Sequence, residues 1–154
     1  MNQTMEKFGY PDTLIREYEN WVVLLRPQQA TLGALVLICK ESAGALSSIS
    51  VEAFSELKQI TTVVESSLKD LFKYDKINYL MLMMVDPDVH FHILPRYSAT
   101  RVFDQAEFTD PGWPGPPDLS KTNQVDDNVT GQLRETLRNR ICKYCSGSVR
   151  RPLQ

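Results

Sequence analysis

Apolar positions change period along this chain, and the changes mark its elements. Residues 14–18 and 21–25, LIREY and WVVLL, are β-rich runs split by Glu19-Asn20, which predicts two strands joined by a short polar link. Arg26-Pro27-Gln28-Gln29 ends the second run, because proline cannot donate to a ladder. Residues 32–40, LGALVLICK, are apolar almost throughout, the pattern of a strand covered on both faces. Together these runs predict an antiparallel meander.

A helical period follows. Phe54, Leu57, Ile60, Val64, Leu68 and Leu71 recur at three- and four-residue steps, with Ser50 as N-cap and Glu52 in the first turn. This stripe is read as core packing rather than a cofactor box. Residues 77–85 and 89–94 then read as two strands around an Asp86-Pro87-Asp88 turn. Residues 108–128 shift to Pro, Gly, Asp and Ser and predict an irregular segment. Trp113 within it either pins its own loop or covers a pocket or a partner. Val129, Leu133, Leu137 and Ile141 predict a last helix from about residue 129, with Gly147 as its stop. The order predicts an α+β fold: an antiparallel sheet of about five strands, one long central helix and a C-terminal helix. The boundaries are 1–107 for the core, 108–128 for the loop, 129–147 for the helix of the same single domain, and 148–154 for a tail.

Composition adds limits. With 42% hydrophobic and 23% charged residues, the chain is long enough to fill one core without staples. A formal net charge of −2 supplies no bulk attraction to nucleic acid or membrane, so neither is expected as a partner. Three cysteines, an odd number, with no signal peptide at the N-terminus predict a reducing, cytoplasmic setting.

The chemistry concentrates in VDPDVHFHILPRY, residues 85–97, which holds both histidines of the chain. On a strand, His90 and His92 share a face, joined by Asp88 if the strand begins that early, while Phe91 and Ile93 face the core. One imidazole can attack while its neighbour supplies a proton or hydrogen bond. The plain alternative is a pair of half-exposed strand histidines.

The segment VHFHILPRY resembles the signature of the histidine triad (HIT) family, in particular its fragile-histidine-triad and bacterial branch. The likeness runs from about Leu14 to Arg101, through the LLRPQQATLGALVLICK hairpin, the long helix and YDKINYL. It implies binding of a nucleotide or nucleotide conjugate and attack on the α-phosphorus, with a covalent nucleotidyl-histidine intermediate. His90 would be the nucleophile, His92 a phosphate-oxygen ligand, and Arg96 and Asn78 nucleotide-binding residues; Arg101 is a weaker candidate. The bonds at stake would be phosphoanhydrides or phosphoramidates, no cofactor is implied, and a homodimer is expected.

The chain departs from that pattern in several places. Asp88 stands at the first triad position, where it would orient an imidazole but repel a phosphate. The Gly-Gln-Ser/Thr segment before the triad is missing, and Lys40-Glu41-Ser42 replaces a histidine after the third strand. The carboxylate or amide that holds the ribose would fall near Leu25 or Arg26, and neither suits a diol. Two alternatives therefore stand beside the enzyme reading. One is a nucleotide-binding protein with little turnover. The other is a zinc site built from His90, His92 and the Cys142/Cys145 pair, whose own plain reading is two thiols packed at a helix end.

Overall fold

The computed structural model describes the backbone of residues 1–149, with side chains described as far as residue 144. Five strands form one antiparallel sheet: β1 (Leu14–Glu17), β2 (Trp21–Leu25), β3 (Leu35–Cys39), β4 (Lys76–Leu80) and β5 (His90–Arg96). Their spatial order is β1-β2-β3-β5-β4, so β5 lies between β3 and β4. Among the described residues three α-helices accompany the sheet: α1 (Gln3–Lys7), α2 (Val51–Phe72) and α3 (Asp127–Val149). The α+β architecture predicted by the periodicities is the one observed.

Side-chain alternation explains the layers. Trp21, Val23 and Leu25 of β2, with Leu35, Leu37 and Cys39 of β3, join Ile60, Val64, Leu68, Leu133 and Leu137 in the main core. Hence α2 and α3 cover one face. Val22, Leu24, Val36 and Ile38 point the other way and pack on Met5 and Phe8 of the α1 segment. Strand β3 is buried at every position because both of its faces are covered. The meander is closed by β5, where His90 pairs with Ile38 and His92 with Val36.

Helix α2 begins where expected, with Ser50 Oγ accepting from Ala53 N at 3.1 Å. Its buried stripe is rotated from the predicted one, running through Ala53, Ile60, Val63, Val64, Ser67, Leu68 and Phe72. Phe54 is 42% exposed and Leu57 and Leu71 are only half-buried, so small Ala53 and Ser67 make the close contacts. In α3, Asp126 Oδ1 accepts from Val129 N at 2.8 Å, and the Val129–Ile141 stripe is buried as predicted. Gly147 does not stop this helix, which runs on to Val149.

Two further differences matter. The strand expected over 77–85 leaves the ladder after Leu80, whose partner is His92. Residues 81–85 are apolar without being a strand, because an apolar run carries no period that separates a ladder from the wall of a cleft. A small hairpin, β6 (Arg101–Phe103) and β7 (Ala106–Phe108), precedes the irregular 109–126 segment. Its turn, Asp104-Gln105, holds two positive φ angles, 48° and 66°, without the usual glycine signal. Among the described residues no helix is long and apolar enough to cross a membrane.

Candidate active site

The two histidines open β5, on the sheet face that α1 covers. The Asp88 main-chain carbonyl sits 2.7 Å from His90 Nδ1. A carbonyl only accepts, so Nδ1 carries a proton, and Nε2 is the ring nitrogen left outside this bond. That Nε2 is buried and has no hydrogen-bond partner. His90 and His92 meet edge to face, their ring centroids 5.2 Å apart.

The Asp88 side chain does something else. Asp88 precedes β5, which starts at His90; its side chain lies on the α1 side of the sheet with the histidines, but its carboxylate bonds neither ring. Instead Oδ2 accepts from Thr4 N at 3.1 Å and from Thr4 Oγ1 at 3.0 Å. Asn2 adds a second tie, donating to the Cys39 carbonyl at 2.8 Å while its own side-chain oxygen caps α1. These bonds press the end of α1 onto the histidines. Phe8 lies 6.1 Å from the His90 ring and 5.6 Å, edge-on, from the His92 ring. His90 is in consequence wholly buried.

His92 opens instead onto a cleft of about 500 Å³. Phe8, Leu82, Met84 and Leu119 form apolar walls, and Lys7, Arg26, Asp86 and His92 are the ionisable side chains lining it. Arg26 Nε donates to His92 Nδ1 across 3.4 Å, a long bond that places the ring proton of His92 on Nε2. Burial first, then the Arg26 charge, pushes the His92 pKa down to about 4. This ring is therefore a neutral hydrogen-bond donor, suited to an anionic oxygen, and beside it stands the buried, unpartnered Nε2 of His90.

Arg96 and Asn78 lie elsewhere. They share the histidine face, but Arg96 is four residues along β5, about 13 Å from His92 at about 3.3 Å per residue. Arg96 is bidentate to Asp110 at 2.7 and 3.0 Å, and donates to Asn78 Oδ1 at 2.7 Å and the Gly115 carbonyl at 2.9 Å. The pair anchors the 109–126 loop, and neither lines the cleft. Arg101 reaches Asp75 and the Tyr97 ring, also outside it. Trp113 is half-buried in the same loop.

Cys142 is exposed on α3, which packs against the opposite face of the sheet from the histidines. The Cys145 side chain lies outside the described residues. Among the described residues no group of three His, Cys, Asp or Glu side chains could hold a metal ion. The zinc set of His90, His92 and Cys142 is thus not brought together.

The site residues that sequence reasoning missed are Lys7, Phe8 and Thr4 on the α1 segment, and Arg26 as a wall of the cleft. Asn2, a good N-cap three residues before Met5, is the one signal that pointed to α1.

No family model matches the chain, and no curated protein does. Solved structures do. A histidine triad protein from Bradyrhizobium japonicum is 20% identical with a TM-score of 0.70, over 92% of this chain and 96% of that one. A histidine triad protein from Sinorhizobium meliloti is 19% identical with a TM-score of 0.69, over 93% and 94%. A hypothetical histidine triad nucleotide-binding protein from Sulfolobus tokodaii is 18% identical with a TM-score of 0.64, over 85% and 84%. The chain has the fold of these histidine triad proteins along nearly its whole length. At such identities the fold is what is shared.

Proposed function

We propose that the protein is a nucleotide hydrolase or nucleotidyl transferase of the histidine triad type, acting at the α-phosphate of a nucleotide conjugate. The observation that carries this reading is His90: its Nδ1 proton is held by the Asp88 carbonyl, which leaves Nε2 buried and unpartnered beside a neutral donor on His92. Nε2 attacks the α-phosphorus while the bond to the leaving group breaks, and the leaving group departs with the electron pair and takes up a proton. Water then attacks the phosphorus and gives up a proton, which balances the one the leaving group took from solvent; the P–N bond breaks, and His90 regains its lone pair. His92 Nε2–H meets the negative charge spread over the phosphoryl oxygens. The scheme needs no cofactor. The likeness to a structure described as nucleotide-binding supports the ligand class.

The test is release of nucleotide from a panel containing a dinucleoside polyphosphate, a nucleoside phosphoramidate and an adenylyl-sulfate, with a His90→Asn variant alongside. Release by the parent and loss of at least about a hundredfold in the variant are expected, the scale of removing a nucleophile. No release from any member sinks the enzyme reading.

A second reading, a nucleotide-binding protein with little turnover, is favoured by one observation. Phe8 seals His90 at 0% exposure, so the nucleophile reaches a substrate only after α1 moves. Binding of AMP without release from any panel member would select it.

A further inference from the structure

Arg26 is 8% exposed and bears a charge it cannot lose at any ordinary pH. Of the five N–H donors of a guanidinium, one goes to His92 Nδ1 and one to the Gln28 carbonyl at 2.6 Å, both neutral acceptors. Three donors remain. No carboxylate among the described residues forms an ion pair with Arg26, and Asp86, the carboxylate of the same cleft, is held 2.5 Å from Lys7. A buried cation with no counter-charge is costly, and such groups are found paired.

The loop beneath it is fixed in this arrangement. Gln29 donates to the carbonyls of Arg26 and Ala34, at 2.7 and 2.9 Å, and accepts from Gly33 N at 2.9 Å. Arg26 is therefore set in place rather than swinging from the surface. Its position relative to His92 adds direction. The two ring nitrogens of an imidazole point away from each other, so the guanidinium on Nδ1 and an acceptor on Nε2–H lie on opposite sides of the ring. One phosphate on the histidines leaves the outer donors of Arg26 unmet.

We infer that the cleft takes a ligand with two separate oxyanions, one facing the histidines and a second, phosphate or carboxylate, held by the free donors of Arg26. This rests on reading the cleft as the site of a phosphate-bearing conjugate. It narrows the substrate class from nucleotides in general to those carrying a further phosphate or carboxylate away from the reacting phosphorus. The apolar walls of Phe8, Leu82 and Leu119 then take the uncharged part of the ligand.

The experiment is calorimetric titration of the full chain with AMP, adenosine 3′,5′-bisphosphate, adenosine 5′-phosphate bearing a 3′-O-carboxymethyl group, and glycerate 2,3-bisphosphate. Arg26→Gln and Arg26→Lys variants are titrated in parallel. The parent is expected to bind the bisphosphate at least about tenfold tighter than AMP, the scale of hydrogen bonds to a charged group. Arg26→Gln reduces that ratio to about one with little change for AMP, and Arg26→Lys restores part of it. The carboxymethyl compound distinguishes a carboxylate preference from a phosphate one. Equal parent affinities for AMP and both doubly charged nucleotides overturn the inference and leave the proposed function standing. Arg26-dependent binding of glycerate 2,3-bisphosphate, with no nucleotide bound, keeps the two-oxyanion site and removes the nucleotide reading. Binding of none of the four overturns both. Should Arg26→Gln fail to fold, the parent ratio and Arg26→Lys decide.

Discussion

The His92 imidazole carries a pH signature of its own. Its pKa falls from an ordinary 6.5 to about 4, because burial and the Arg26 charge both disfavour the imidazolium. Between those two values the unfolded chain holds the extra proton and the folded chain does not. Stability therefore declines as pH falls from about 6.5 towards 4 and is unpenalised above that window. The urea midpoint of the parent is expected to drop over this range, and His92→Asn should flatten the decline. An unchanged profile in the variant would assign the pH dependence to other groups. A second residue-level expectation concerns Arg96 and Asp110, whose side chains are 4% and 0% exposed. Asp110→Ala leaves a buried guanidinium without its carboxylate, at a cost of about 3–5 kcal/mol. In a chain of this size that corresponds to a melting temperature lower by about 10 °C. Nucleotide affinity, once measured, should be far less affected, since neither residue lines the cleft.

At the scale of elements, α1 lies over the histidines and the β2–β3 turn forms part of the cleft wall. Phe8→Ala removes the ring that covers both imidazoles. Modification of His90 by diethyl pyrocarbonate, followed by peptide mass, should accelerate at least about tenfold as the local opening cost falls. The variant should also lose roughly 2–4 kcal/mol of stability, at or just below the usual cost of a deleted buried ring. A rate equal to the parent's would mean that Phe8 does not govern access. In the turn, Gly33 has φ +82°, and a Cβ there would stand 2.9 Å from Phe72 Cε2 and 3.1 Å from Leu68 Cδ2. Gly33→Ala should therefore cost about 1–3 kcal/mol by denaturant melt, through both backbone strain and overpacking. The strands β2 and β3 and both long helices were legible because each carries a sustained period or a continuous apolar run. Helix α1 was not: five residues give no period, and its boundaries depend on the Asn2 cap and on Asp88, far away in sequence.

For the whole molecule, the sheet acts as a partition. The two histidines occupy one face and α2, α3 and the main core the other. Cys142→Ser should accordingly leave ligand binding unchanged and alter no metal content, checked by titration and elemental analysis. A loss of bound zinc in that variant would revive the cysteine–histidine reading. The shared face of His90 and His92 was readable from strand alternation alone. The insertion of β5 between β3 and β4 was not, because periodicity carries no strand order. Arg26 was misjudged for a related reason. In sequence it is the residue before a strand-breaking proline, and its significance lies in being buried without a counter-charge, which only the fold reveals.

The ties of α1 also set an order in time. Asn2 bonds a residue 37 positions on, and Thr4 one 84 positions on. A five-residue helix has no independent stability, so it cannot dock before β5 and Asp88 are in place. The cover over the histidines thus depends on ties to two distant parts of the chain. His90 and His92 are covered by a segment that the sheet itself must first hold in place.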